Sequence, residues 1–187
     1  MITLILPGLG NSGPEHWQSL WERADPSCIR VLQDEWNAPH VGAWSARLAH
    51  VVDSHDAPLV LVAHSSACAM VAHWAHAAGP DALQKIRGAL LVAPSDPDSP
   101  NYPAGPVGFG PVPAETLPFP TIVVASDSDQ YLSVDRASAY AAAWGSRLVV
   151  LPRAGHINAA SGFGDWPQGW TLLQELRQPE PSVSKAH

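Results

Sequence analysis

Six short runs of consecutive apolar, largely β-branched residues recur along the chain with helix-length spacers between them. They are Thr3–Leu6, Ile29–Leu32, Leu59–Ala63, Ala89–Ala93, Ile122–Ala125 and Leu148–Leu151. A strand with one wet face alternates apolar and polar residues; these runs are apolar at successive positions, the pattern of strands buried on both faces of a parallel sheet. The spacers carry helical periodicity. Val41, Trp44, Leu48, Val51 and Val52 fall on one stripe. Val134 to Trp144 is Ala-rich with Tyr140 and Trp144 on one side, and Trp166 to Leu176 forms the last such segment. Strands alternating with helices predict a three-layer α/β domain of about six mostly parallel strands flanked by helices. Right-handed crossovers then gather the loops at the carboxyl ends of the strands on one rim, where ligands bind.

The chain has 187 residues, near the size of one domain. Six strands and their helices use nearly all of it, so a single domain over residues 1–176 is expected, without a separate cap. Arg177 to His187 is polar and aperiodic and reads as a flexible tail. One stretch breaks the rhythm: Ser95 to Pro118 holds seven prolines and three glycines. It cannot be a helix. A loop that long in a compact domain is usually functional or disordered, which makes it a candidate lid.

Charge narrows the partners. Ten Lys+Arg against 17 Asp+Glu give a net charge of −7, with no basic cluster; a nucleic-acid or anionic-membrane binder needs the opposite sign. The longest apolar runs are about six residues against the ~20 a membrane span requires. Met1 to Pro7 lacks the basic stretch of a signal peptide. The isolated Cys28 and Cys68 are expected as reduced thiols, and a cytoplasmic location follows as an expectation. No histidine pair with a matching acid has metal-ligand spacing, so neither metal nor cofactor is expected.

Two segments could carry chemistry. Gly8-Leu9-Gly10-Asn11-Ser12-Gly13 follows the first strand and matches G-x-G-x-x-G, with Asp34 and Glu35 after the second strand. Three readings stand at this point: a dinucleotide-binding loop, a plain tight turn, or a loop whose backbone N–H groups serve something other than pyrophosphate. The second segment, Ala63-His64-Ser65-Ser66-Ala67, follows the third strand and precedes an apolar helix through Cys68, Met70, Val71 and Trp74. Strand, sharp turn holding Ser, then helix is the layout of a nucleophile elbow; the alternative is an ordinary turn with Ser65 or Ser66 as helix N-cap.

The later strand ends favour the elbow. Strand Ile122–Ala125 runs into Ser126-Asp127-Ser128-Asp129, and strand Leu148–Leu151 into Arg153-Ala154-Gly155-His156. Ser65, Asp129 and His156 then stand in the chain order of α/β hydrolases, each just past the carboxyl end of a strand. A serine hydroxyl is a poor nucleophile until an imidazole takes its proton, and a carboxylate fixes that imidazole's tautomer and stabilises its cation. Asp129 is preferred to Asp127, either of which could instead cap the following helix; Asp96 is a third choice. His156 alone among nine histidines follows a strand within a Gly-His turn. His64 is expected to point away, and His50, His55, His73 and His76 lie on expected helices. An oxyanion hole would use the N–H groups of Ser66 and Leu9.

With these residues in place, the chain resembles small serine hydrolases of the YdeN and retinoblastoma-binding-protein-nine type within the α/β-hydrolase superfamily. The resemblance spans Ile2 to Leu176. It rests on Leu6-Pro7-Gly8 with Gly13-Pro14-Glu15-His16-Trp17, on Val62-Ala63-His64-Ser65, on Leu91-Val92-Ala93-Pro94 and Leu117-Pro118-Phe119-Pro120, and on Val124-Ala125-Ser126 leading to Asp129. Its most specific part is Gly155-His156-Ile157-Asn158 with Ser161-Gly162-Phe163-Gly164-Asp165-Trp166-Pro167. The family usually has Gly where Ala63 and Ala67 stand, and Asp-Pro-Tyr where this chain has Asp129-Gln130-Tyr131. The resemblance implies Ser65 as nucleophile, Asp129 as acid and His156 as general base.

The expected activity is hydrolysis of a small ester, with an amide as second choice, through an acyl-enzyme. Tyr102 and Phe109 are candidate acyl contacts, each equally able to pin its loop to the core. Two other readings stay open: a dinucleotide-binding oxidoreductase using Gly8, Gly10 and Gly13, and a catalytically silent interaction protein on a hydrolase scaffold.

Overall fold

In the computed structural model, which describes residues 1–178, the six apolar runs become the six strands of one sheet. The chain order is β1 (Ile2–Leu6), α1 (Trp17–Ala24), β2 (Cys28–Arg30), α2 (Val41–Asp53), β3 (Leu59–His64), α3 (Ser66–Ala77), α4 (Pro80–Gln84), β4 (Ile86–Val92), β5 (Thr121–Ser126), α5 (Val134–Trp144), β6 (Arg147–Leu151) and α6 (Pro167–Arg177), with a 3₁₀ turn at Ala159–Ser161. The strand order is β2-β1-β3-β4-β5-β6 and every pairing is parallel.

Alternate residues of one strand feed opposite layers. Leu59, Leu61 and Ala63 pack with α2, α3 and α5 through Trp44, Leu48, Met70 and Trp144. Val60 and Val62 pack on the other face with Trp17, Trp21, Trp166 and Leu173. Both layers are buried, so truncating a residue such as Leu61 to Ala should cost about 2–5 kcal/mol. The two edge strands depart from the fully buried pattern. β2 is short and leaves Leu32 exposed beyond its end, and β6 consists of exposed and half-buried residues only. An edge strand has a neighbour on one side only, and the helices cover it less completely.

The chain leaves β1 for β2 on one flank and leaves β3 for β4 on the other. The carboxyl ends of β1 and β3 are therefore the topological switch point, where such sheets leave a crevice. Buried Gln18 ties these two ends together, its Nε2 donating to the carbonyls of Leu6 (3.2 Å) and Val62 (3.1 Å).

Two pieces of the structure were not expected. Helix α1 begins at Trp17, three residues past Pro14, with His16 Nδ1 accepting from the Gln18 amide as its cap. Arg177, placed by its polarity in the tail, is instead the last residue of α6. Its guanidinium donates to Thr3 Oγ1, Asp25 Oδ2 and Ser27 Oγ and lies over the Trp170 ring. Those partners are 150 to 174 residues away in sequence, so local polarity carries no sign of them. Residues 179–187 of the expected tail lie outside the described residues.

The Ser95–Pro118 segment contains no helix and one isolated bridge, at Val107. It starts beside Ser65 and touches the β5–α5 loop, where Asn101 Nδ2 donates to Gln130 O. It then reaches the β2–α2 loop, where Val107 exchanges backbone bonds with Pro39 and Val41. Its return leg runs under α5, where Trp144 Nε1 donates to Pro113 O. Among the described residues, no helix is long and apolar enough to cross a membrane.

Candidate active site

Ser65 stands between the last residue of β3 and the first of α3 with φ 59° and ψ −129°. A non-glycine residue in such a region costs on the order of 1–3 kcal/mol and persists where its surroundings force it. Here the Ser65 amide donates to Val92 O of the neighbouring strand at 3.0 Å, and its carbonyl accepts from the Cys68 amide. Ala63 and Ala67 flank the turn and are fully buried, so alanine suffices where the family usually carries glycine. The Ser65 side chain makes no capping bond to α3, which removes the N-cap reading for this hydroxyl.

The glycine loop passes directly over the serine. A Cβ on Gly8 would lie 2.8 Å from both His64 O and Ser65 Cβ and 3.3 Å from Ser65 Oγ; only glycine fits. Gly13 by contrast has open space around it, and the first helix begins only at Trp17. The close approach to Ser65, rather than a helix opening on the third glycine, is what the motif serves. Next to Gly8, the Leu9 amide donates to Ser66 Oγ at 3.1 Å. The Ser66 amide is at the first position of α3, where no carbonyl of the helix can accept from it.

His156 and Asp129 meet across the ends of β5 and β6. Asp129 Oδ2 lies 2.8 Å from His156 Nδ1, and the two side chains are 1% and 11% exposed. The run Ser126-Asp127-Ser128-Asp129 builds this turn one residue at a time. Ser126 Oγ accepts from the Ala154 amide, Asp127 Oδ1 from Arg153 and Ser128 Oγ from Gly155. Gly155 has φ 54°, and a Cβ there would meet Ser161 Oγ at 2.5 Å. Asp129 Oδ1 accepts from the Tyr131 amide, and the Tyr131 ring stands edge-on to the imidazole at 4.7 Å.

The other acids have different work. Exposed Asp127 holds the Arg153 amide. Asp96 binds Arg136 through both oxygens and accepts from Tyr140. Burial raises the Asp96 carboxyl, but bonds from Arg136, the Asp98 amide and Tyr140 outweigh it and hold the group below the ordinary carboxylate range. The helix they might have capped is capped by Ser133.

Beneath His156 lies a column of buried imidazoles that sequence reasoning did not assemble. The ring centroids of His16 and His64 are 4.8 Å apart, as are those of His64 and His156. His64 Nε2 sits 2.9 Å from His156 O; a carbonyl only accepts, so that nitrogen carries the hydrogen. Burial, reinforced by Arg30 and then His156, lowers His16 to about 4. Burial, then His156 and His16, also holds His64 well below the usual histidine value.

The Ser65 hydroxyl is hydrogen-bonded to Ser95 Oγ at 2.8 Å. Ser95 was not among the expected site residues. Its signal lies in the strand order: β4 is the neighbour of β3, with His64 opposite Val92, so residues just past both ends must meet. Of the candidate acyl contacts, Phe109 is buried edge-on to Trp44, and its carbonyl accepts from His73. It pins the segment to the core, the other role open to it. Tyr102 is half-buried against the same core, with its hydroxyl buried and without a partner among the described residues. The expected reduced thiols are free and buried, with burial pushing Cys28 to about 11 and Cys68 higher still. Among the described residues no group of acids, histidines and cysteines could hold a metal ion.

A parallel α/β sheet without a separate cap, with a strained serine at the end of β3 and a His–Asp pair at the ends of β5 and β6, defines an α/β hydrolase. The chain belongs to the serine hydrolase family, whose model matches residues 3–175. It is similar to a protein described as a YdeN-like hydrolase from Pectobacterium atrosepticum, at 34% identity and TM-score 0.82 over 94% of this chain and 89% of that one. The ydeN gene product of B. subtilis matches at 18% identity and TM-score 0.70, covering 94% and 97%. Est1E from Butyrivibrio proteoclasticus matches at 12% and 0.65, covering 95% and 88%; these two likenesses bear on the fold. No curated protein matches the chain.

Proposed function

We propose that the protein is a carboxylesterase-like serine hydrolase, cleaving a small ester by acyl transfer through Ser65, His156 and Asp129. The observation that carries this reading is the 2.8 Å contact between Asp129 and His156 Nδ1 on the rim that bears Ser65. With Nδ1 occupied by the carboxylate, Nε2 is the ring nitrogen left to take the Ser65 proton. Ser65 Oγ then attacks the carbonyl carbon, and the Ser66 amide holds the developing oxyanion. The Leu9 amide joins it by exchanging its bond to Ser66 Oγ. His156 returns its proton to the leaving alcohol, and water attacks the acyl-enzyme by the same route. No metal or cofactor enters this route.

The unit is a single domain, with Ser95–Pro118 as the nearest thing to a lid. That segment is pinned along its length to α2, α3 and α5, which favours small or exposed acyl groups over long buried ones. Two free, buried cysteines support a reducing compartment, the cytoplasm.

Fluorophosphonate labelling of the wild type and of Ser65→Ala tests the reading. Labelling of the wild type alone is the expected result; an unlabelled wild type, or a labelled Ser65→Ala, overturns it in favour of a silent scaffold or another nucleophile. A panel of p-nitrophenyl esters of increasing chain length then sizes the acyl pocket.

A further inference from the structure

We infer that Ser95 is a further catalytic residue, a hydroxyl donor to Ser65 Oγ that disfavours the acyl-enzyme and so speeds its hydrolysis. This inference rests on the acyl-enzyme reading above.

The bond between the two hydroxyls could run either way, and burial decides its direction. Ser95 is 2% exposed, and among the described residues its hydroxyl has one partner, Ser65 Oγ at 2.8 Å. A buried hydroxyl hydrogen without an acceptor is costly. Ser95 therefore donates, and the proton of Ser65 stays free for His156.

The contact is built into the fold. The Ser65 amide is anchored on Val92 O, and the Ala93 amide on Val124 O at 2.7 Å. Ala93 itself has φ 46°, which turns the chain so that Pro94 delivers Ser95 to the serine. Beyond it, the Asp96 amide donates to Tyr131 O, and the Asp96 carboxylate is clamped by Arg136 and Tyr140. Ser95 is held from both sides, by β4 and by the loop that carries Asp129.

A donor at that position acts unequally on the two half-reactions. An alcohol oxygen accepts a hydrogen bond well; the alkoxy oxygen of an ester accepts poorly, because its lone pair is delocalised into the carbonyl. The Ser95 bond is strong in the free enzyme, weak in the acyl-enzyme, and strong again as Oγ leaves. In deacylation, water gives a proton to His156 Nε2 and its oxygen bonds to the acyl carbon. The C–Oγ bond then breaks with its electron pair going to Oγ, which takes the proton back from Nε2. Ser95 keeps its own proton throughout and stabilises the charge gathering on Oγ.

Burst kinetics on p-nitrophenyl acetate read both constants. In Ser95→Ala the ratio of the deacylation to the acylation rate constant should fall about three- to tenfold, the weight of one neutral hydrogen bond, and acyl-enzyme should accumulate. Ser95→Thr, which keeps the hydroxyl, should restore the ratio. Ser95→Cys, nearly isosteric with a weaker donor, reads the same ratio if the alanine variant does not fold. A burst that survives in Ser65→Ala overturns the acyl-enzyme reading, and the role of Ser95 with it. A Ser65-dependent burst whose ratio is unchanged in Ser95→Ala, or raised, overturns the role of Ser95 alone. Equal slowing of both steps does the same.

Discussion

His64 donates its Nε2 hydrogen to the carbonyl oxygen of His156 at 2.9 Å, with the two rings 4.8 Å apart. The residue before the serine and the proposed general base are thus joined across 92 positions of sequence. His16, 4.8 Å on the other side of His64, completes the column beneath the site. The backbone of the proposed base stands on two imidazoles that burial keeps neutral.

That column makes stability depend on pH. Burial lowers His16 from 6.5 to about 4 and moves His64 in the same direction. Below pH ~6.5 the unfolded chain binds protons that the folded chain refuses, so stability falls with pH. The contribution of His16 is lost between its unfolded value of 6.5 and its folded value of about 4, and should reach about 2 kcal/mol by pH 5. Urea unfolding at pH 7.5 and pH 5 measures it, and His16→Gln should shrink the difference, leaving the share that belongs to His64. A wild type equally stable at both pH values contradicts the neutral column.

Asp129→Asn should lower kcat by about 10⁴ while leaving the fold intact, because an amide facing His156 Nδ1 favours the wrong tautomer. Its Oδ1 can still accept from the Tyr131 amide, so the local turn survives. Steady-state rates on p-nitrophenyl acetate decide this; a loss of less than tenfold removes Asp129 from the reaction and reopens the choice among the acids.

Gly8→Ala should be far more damaging than Gly13→Ala. The first places a methyl 2.8 Å from His64 O and Ser65 Cβ, while the second meets nothing within 4 Å. Overpacking of this kind costs about 1–3 kcal/mol, and displacement of the loop should slow fluorophosphonate labelling at least ~10-fold. Gly13→Ala should stay within about 0.5 kcal/mol of the wild type. Equal behaviour of the two variants in thermal melts and labelling contradicts the packing of Gly8 over the serine.

What could be read from the sequence divides along a physical line. Runs such as Leu59–Ala63 announce their strands because burial on both faces demands apolar residues at every position. All six runs are strands of the sheet, with the exposed edge at Leu32 the main excess. The placing of Asp129 opposite His156 was legible too, since both sit one turn past a strand end. Less legible was whatever depends on which strands are neighbours. Ser95 reaches Ser65 because β4 lies beside β3, and His16 reaches His64 because α1 folds back across β1 and β3. Phe109 illustrates the limit: an aromatic in a proline-rich loop has the same sequence signature whether it faces a ligand or, as here, Trp44.

One consequence belongs to the backbone at Ser65. Its φ of 59° with ψ −129° is a conformation that glycine adopts freely and serine does not. In a Ser95→Ala background, where no buried hydroxyl loses its acceptor, Ser65→Gly should therefore raise the unfolding free energy by about 1 kcal/mol or more, seen as a higher Tm, while abolishing covalent labelling. A Tm below that of Ser95→Ala alone would contradict it. Such a gain would mean that selection has kept the molecule away from its own stability optimum at this one position, exchanging robustness for reactivity.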